Sequence, residues 1–202
     1  MLGTAHSFVK GLSLRNVIIR GTSGHGLLAE REEKSTTCYD IFMRILGIDP
    51  GFDRTGWGVV EDVGGRLSYI ACGCIQTSAK DTFQIRLQEV RDGLANLLNV
   101  YKPDAVSMEQ LFFQTNAKTA MKVGMARGVS VLVVADANLL LIEPTPNQVK
   151  SGTTGQGNAD KKQVQEMVVR LLKLSSVPKP DDAADALAIA IVGCTMKGRL
   201  HP

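Results

Sequence analysis

Histidine is scarce in this chain of 202 residues: there are three, His6, His25 and His201, and all lie toward the termini. That placement argues against an active site built on imidazole. Cysteine is nearly as sparse, and Cys38, Cys72, Cys74 and Cys194 include no Cys-x-x-Cys pair. Cys72 and Cys74 stand two apart in a strand-like run, so they share a face and read as small packing residues rather than ligands. A disulfide scaffold is not expected in a chain this large with this much apolar residue. No apolar run is long enough and charge-free enough to span a bilayer, and there is neither an internal repeat nor a low-complexity linker. The net charge is only +3, which permits a local basic face for nucleic acid without arguing for one.

What is present is the composition of a soluble globular chain, 44% hydrophobic and 21% charged, long enough to bury one sizeable core. Residues 1–42 read differently from the rest. Before Glu30 they carry Lys10, Arg15 and Arg20 but no acid, and their apolar residues follow no clean period. They are expected to be an N-terminal extension, either disordered or read from a start upstream of a true start at Met43. A basic, acid-poor start also suits a transit peptide, although arginines are few and no cleavage site is evident. The folded domain is expected over 43–198, with a short tail at 199–202.

From Met43 the pattern is regular. Strand-like runs at 44–49, 56–61 and 66–76 are separated by Gly51, Gly64 and Gly65, and such short connections imply antiparallel neighbours. A helix follows over about 81–100, with Phe83, Leu87, Val90, Leu94, Leu97 and Leu98 at three- and four-residue steps. Pro103 ends it, and a short strand leads to Glu109. A second helix is predicted over 115–136, where Gly124 and Gly128 are expected to allow close packing. A buried strand at 139–142 is ended by Pro144 and Pro146, and helices at 161–172 and 182–196 complete the chain. This order predicts an α/β fold, a mixed five-stranded sheet with helices on both faces, of the ribonuclease H-like kind.

Three carboxylate sites stand out. In Arg44-Ile45-Leu46-Gly47-Ile48-Asp49-Pro50-Gly51 an apolar strand runs straight into an acid, and the chain then turns. In Asp104-Ala105-Val106-Ser107-Met108-Glu109 a second strand ends the same way. In Asp181-Asp182-Ala183-Ala184-Asp185 acids open an Ala-rich helix, where the helix dipole favours negative charge. Asp182 and Asp185 share a helical face, but so do Asp181 and Asp185, and spacing alone does not choose between them. If the first and fourth strands are neighbours, Asp49 and Glu109 meet, with the last helix above them. Such a set suits Mg²⁺, a hard cation held by a few carboxylates plus substrate phosphates. Two such ions can activate water and stabilise the leaving oxygen of a phosphodiester.

The motifs carry a resemblance. Met43 to Gly51, Thr55-Gly56-Trp57-Gly58-Val59, Glu109-Gln110-Leu111-Phe112-Phe113 and Ala126-Arg127-Gly128-Val129 occur in order. Pro146-Asn147-Gln148-Val149-Lys150, Thr154-Gly155-Gln156-Gly157-Asn158-Ala159-Asp160-Lys161 and Asp182 to Ala188 follow them. Over nearly all of the chain from Met43 to about 194 it resembles the RuvC-type Holliday-junction resolvases of bacteria. The resemblance implies a cytoplasmic homodimeric endonuclease that nicks opposing strands of a four-way DNA junction. It would use Mg²⁺, two ions per active site with Mn²⁺ as a substitute, beside a branch-migration helicase of the RuvA and RuvB type. It makes Asp49, Glu109, Asp182 and Asp185 the catalytic and metal-binding acids. Asp182 is selected over Asp181 because the family places its residue three before the last Asp. In such folds Asp49 would bridge both metals, Glu109 and Asp185 would each complete one site, and Asp182 would help hold the second metal and its water.

For DNA contact, Phe112 read alone is a core side chain, and by resemblance it is an aromatic that stacks on an unpaired base. Phe113 reads as the core member of that pair. Lys150 and Lys161 align with basic residues near the active site, while Lys118, Lys122 and Arg127 could follow a phosphate backbone from the helix after Glu109. Gly155 and Gly157 could let backbone amides approach phosphate. Two other readings stay open: a junction-binding protein that has lost catalysis, and a relative on the same fold acting on RNA or simple duplexes.

Overall fold

The computed structural model describes residues 42–111 and 117–200. The expectations for residues 1–41, for Phe112 and Phe113, and for the side chain of Lys118 lie outside them. Strands β1 (Phe42–Asp49), β2 (Arg54–Val63) and β3 (Arg66–Gln76) form an antiparallel meander. The tight β2–β3 turn uses Gly64 and Gly65 at φ 59° and 85°, a region glycine enters without steric penalty. Then come α1 (Phe83–Tyr101), β4 (Ala105–Met108), α2 (Ala117–Asp136) and β5 (Leu140–Ile142). Helices α3 (Pro146–Thr154), α4 (Lys161–Leu171) and α5 (Asp181–Leu200) complete the chain. The sheet order is β3-β2-β1-β4-β5, with β4 parallel to both its neighbours.

Helices cover both faces, as the alternation of elements predicted. On one face α3, α4 and α5 bury Val149, Val164, Val168, Leu187 and Ile191 against Ile45 and Val60. On the other, α1 and α2 bury Val90, Leu94, Leu97, Val133 and Val134 against Leu46, Ile48, Val59 and Val106. Helix α1 begins at Thr82, whose hydroxyl accepts from the Ile85 amide. It ends where Lys102, at φ 45°, donates its amide to the Leu98 carbonyl, and Pro103 then prevents continuation.

One helix was not expected. Pro144 and Pro146 read as breakers, yet Pro146 is the first residue of α3, where a missing N–H leaves nothing unsatisfied. Thr145 accepts from the Gln148 amide at 3.2 Å while Gln148 Oε1 accepts from the Thr145 amide at 2.8 Å, closing a capping box.

Helix α5 lies almost directly on β1 and β2. A Cβ added at Gly47 would sit 2.1 Å from the Ala186 carbonyl oxygen, and one at Gly56 would sit 2.1 Å from that of Asp182. On the helix side Ala183, Ala186 and Ala190 are fully buried. Glycine below and alanine above let backbone approach backbone. The expectation for Gly124 and Gly128 is corrected, because a Cβ at either would meet nothing within 4 Å among the described residues.

Candidate active site

Asp49 is the last residue of β1. Because β1 and β4 run parallel with Ile48 opposite Met108, Asp49 and Glu109 leave adjacent strand ends at the same level. The turn after Asp49 is heavily braced. The Thr55 hydroxyl donates to the Gly51 carbonyl at 2.7 Å, and Thr77 ties down Asp53 and Phe52 through its amide (3.1 Å) and hydroxyl (2.9 Å). Arg86, a buried guanidinium, donates to Thr77 Oγ1 and to the Asp53 carboxylate. It also lies 4.1 Å from the Phe52 ring centroid, and Phe52 stacks on Phe83. A carboxylate at the end of β1 is therefore carried on a fixed platform.

The first turn of α5 reaches over the same strand ends because Gly47 and Gly56 admit it. Asp49, Glu109, Lys150, Lys161 and Asp185 line one cleft of about 230 Å³, walled by Val149, Val164 and Ala188. Lys161 Nζ donates to Asp185 Oδ2 at 2.8 Å. Asp182 sits beside this cleft rather than among its lining residues, with Arg54 Nε 3.3 Å from its Oδ2. Asp181 turns away to Lys179, 2.8 Å distant, and that ammonium holds its carboxyl below the usual range.

The electrostatics record the crowding of negative charge. Burial, then Asp185, Glu109 and Asp182 in decreasing order, push the Asp49 carboxyl up to about 7, with Lys161 opposing. Burial and then Asp185 raise Glu109, against the pull of Lys150. Burial raises Asp185 while Lys161 lowers it, and the bond to Asp185 raises Lys161 in turn. Among the described residues no three acids, cysteines or histidines close into a ready-made metal cage. The donor set nevertheless fits a hard divalent cation. It is all carboxylate oxygen, it is short of positive charge at Asp49, and Asp182 Oδ2 is buried with no hydrogen-bond partner.

The remaining predicted contacts are dispersed. Lys122 is exposed, with Nζ 5.7 Å from the Phe52 ring centroid. Arg127 is turned inward, its side chain 16% exposed and paired with Glu143. Five residues apart, the two point about 140° apart around the helix axis, so they do not form one row. The Gly155 amide donates to the Ser151 carbonyl as the cap of α3 and is not free for phosphate. The sequence does not mark Arg54; its place at the start of β2, beside Asp182 of α5, does.

A mixed five-stranded sheet with acids at two adjacent parallel strand ends, and more acids on the helix crossing them, defines a ribonuclease H-like nuclease. A family model described as crossover junction endodeoxyribonuclease RuvC matches residues 45–193. The chain belongs to the RuvC family. The RuvC of Natranaerobius thermophilus is 46% identical over 149 residues, 74% of this chain and 92% of that protein. The RuvC of Thermosipho melanesiensis is 50% identical over 148 residues, covering 73% and 94%. The solved structure of Thermus thermophilus RuvC in complex with Holliday junction substrate has a TM-score of 0.73 at 32% identity, covering 77% of this chain and 94% of that one. No described helix is long and apolar enough to cross a membrane.

Proposed function

We propose that this chain resolves four-way (Holliday) DNA junctions by paired symmetric nicks, as a structure-selective endodeoxyribonuclease of recombination and repair. The observation that carries the reading is the convergence of Asp49, Glu109, Asp182 and Asp185 on one end of the sheet in a member of this family. That the Thermus relative has been solved with a Holliday junction supports the choice of substrate.

Asp49, Glu109, Asp182 and Asp185 are assigned as the catalytic and metal-holding acids. Mg²⁺, two ions per site with Mn²⁺ as a substitute, would supply an activated water and charge stabilisation at the leaving oxygen. The chain's own residues do the rest. The clamped turn at 50–55 holds Asp49 still. Asp49 is the acid with most to gain from added positive charge, because burial, and after it the neighbouring carboxylates, push its carboxyl up to about 7. Lys150 and Lys161 line the same cleft and meet the phosphate that the acids would otherwise repel. Lys118, Lys122 and Arg127 are retained as outer DNA contacts, with Lys122 the exposed one of the last two, and Phe112 as the stacking aromatic.

Two symmetric cuts require two active sites facing a two-fold substrate, so the working form is a homodimer. Helix α2 suits the contact: Met121, Met125 and Leu132 are 63%, 44% and 59% exposed, beside the open positions Gly124 and Gly128. A branch-migration helicase of the RuvA and RuvB type, in the cytoplasm, completes the reading, with the nuclease domain at 43–198.

The test is cleavage of a synthetic mobile four-way junction with Mg²⁺, beside linear duplex and an RNA–DNA hybrid. Paired nicks on the junction alone, lost in Asp49→Asn, are expected. Cutting of the hybrid or duplex instead would leave the fold and refute the substrate.

A further inference from the structure

A further cation stands at the acids besides the two lysines of the cleft. Arg54 opens β2, and its Nε lies 3.3 Å from Asp182 Oδ2. This is an ion pair without hydrogen-bond geometry, for that same oxygen is buried and has no hydrogen-bond partner. The arginine side chain is 55% exposed, so its head remains solvated while its backbone is locked. A Cβ at Gly51 would sit 2.0 Å from the Arg54 carbonyl oxygen, and the Thr55, Thr77 and Arg86 contacts fix the turn on either side. The arrangement puts a solvated guanidinium on a rigid base over a carboxylate oxygen that it only partly satisfies. A half-exposed pair of this kind is weak and yields readily to a more highly charged ion. A guanidinium released there has the planar donor fork that suits phosphate.

We propose that Arg54 is a positioning residue with two successive partners: Asp182 in the metal-free protein, and a backbone phosphate of bound DNA once a divalent cation takes Asp182. The proposal rests on the metal-dependent nuclease reading above. It gives Arg54 opposite effects on two ligands. It competes with metal and assists DNA, and a residue that merely buttressed the fold would weaken both together.

The experiment uses the full chain with Arg54→Gln and Arg54→Lys. Mn²⁺ binding to the free protein is measured by calorimetry. Junction binding in Ca²⁺ is followed by fluorescence anisotropy across a salt series. Arg54→Gln is expected to bind Mn²⁺ roughly two- to fivefold more tightly, the scale of a half-exposed ion pair. It should also bind the junction more weakly, with the slope of log affinity against log salt shallower by about 0.9, the loss of one phosphate contact. Arg54→Lys should restore the slope. Unchanged or weaker Mn²⁺ binding, or an unchanged slope, overturns the proposal. Wild type run alongside separates the two readings. A wild-type chain that neither binds Mn²⁺ nor cuts the junction refutes the nuclease reading, whereas one that does both and matches Arg54→Gln refutes the role of Arg54 alone.

Discussion

Asp49→Asn should make the metal-free protein more stable at pH 8, although it removes a residue the active site needs. Burial and the carboxylates of Asp185, Glu109 and Asp182 raise the Asp49 carboxyl from 3.8 to about 7. The folded chain therefore holds this proton more tightly than the unfolded chain does. The stabilisation that protonation brings is complete below about 3.8 and is lost as pH rises through about 7. At about 1.4 kcal/mol per tenfold change in proton affinity, moving a carboxyl from 3.8 to about 7 burdens the ionised native state by on the order of 4 kcal/mol. The acids titrate together, and the side chain keeps some contact with water, so about 2–4 kcal/mol should be realised. Asparagine matches the shape without the charge. In urea denaturation with chelator present, the variant should gain little near pH 4 and open a widening advantage toward pH 8, at unchanged m-value. Adding Mg²⁺ should narrow or reverse that gap, since a ligand at 100 times its Kd stabilises the wild type by about 2.7 kcal/mol and the variant by less. A variant less stable than wild type at pH 8 in chelator, or a gap independent of pH, would refute the reasoning.

Two further outcomes are expected. Gly56→Ala would place a Cβ 2.1 Å from the Asp182 carbonyl oxygen, so α5 must lift; a loss of about 1–3 kcal/mol by denaturation and weaker Mn²⁺ binding should result. Gly124→Ala, whose Cβ meets nothing within 4 Å among the described residues, is the matched control, and equal effects of the two would contradict the close approach. Lys161→Gln should move the acidic limb of the junction-cleavage pH profile to higher pH, because Lys161 lowers the carboxyls of Asp49 and Asp185; an unmoved limb would mean that the lysine does not tune them.

The sheet and the candidate acids were legible because each has a local signal. Strand-like runs separated by Gly51 and by Gly64-Gly65 mark the meander, and Pro50-Gly51 after Asp49 marks a strand that must stop. The placement of Glu109 needed one non-local fact, that β4 pairs with β1, which the sequence left as a condition and the structure meets. Helix α3 was lost because Pro146 was weighed as a breaker without its neighbours Thr145 and Gln148, which turn the same proline into a helix start. Close packing was expected at Gly124 and Gly128 and not at Gly47 and Gly56, yet Gly47 and Gly56 face backbone while a Cβ at Gly124 or Gly128 meets nothing among the described residues. A sequence records that a side chain is missing, not what fills the room. The surroundings of Arg127 and Arg54 were illegible for a related reason: whether an arginine faces solvent, Glu143 or Asp182 depends on elements distant in the chain.

The packing of α5 and the chemistry of the site are consequences of one another. Asp182 and Asp185, one turn apart at the start of α5, reach the ends of β1 and β4 only if the helix axis lies near the sheet, and any Cβ at Gly47 or Gly56 would hold it away. The same proximity buries the carboxylates, and burial is the largest cause raising Asp49, Glu109 and Asp185. A looser helix would relieve that strain on the charges and also scatter the donors. The charge frustration is thus inseparable from donor convergence, and Lys161 and Arg54 offset it at Asp185 and Asp182 while leaving Asp49 largely uncompensated. A cation entering the cleft would gain most at Asp49, the acid held stillest by the Arg86-braced turn.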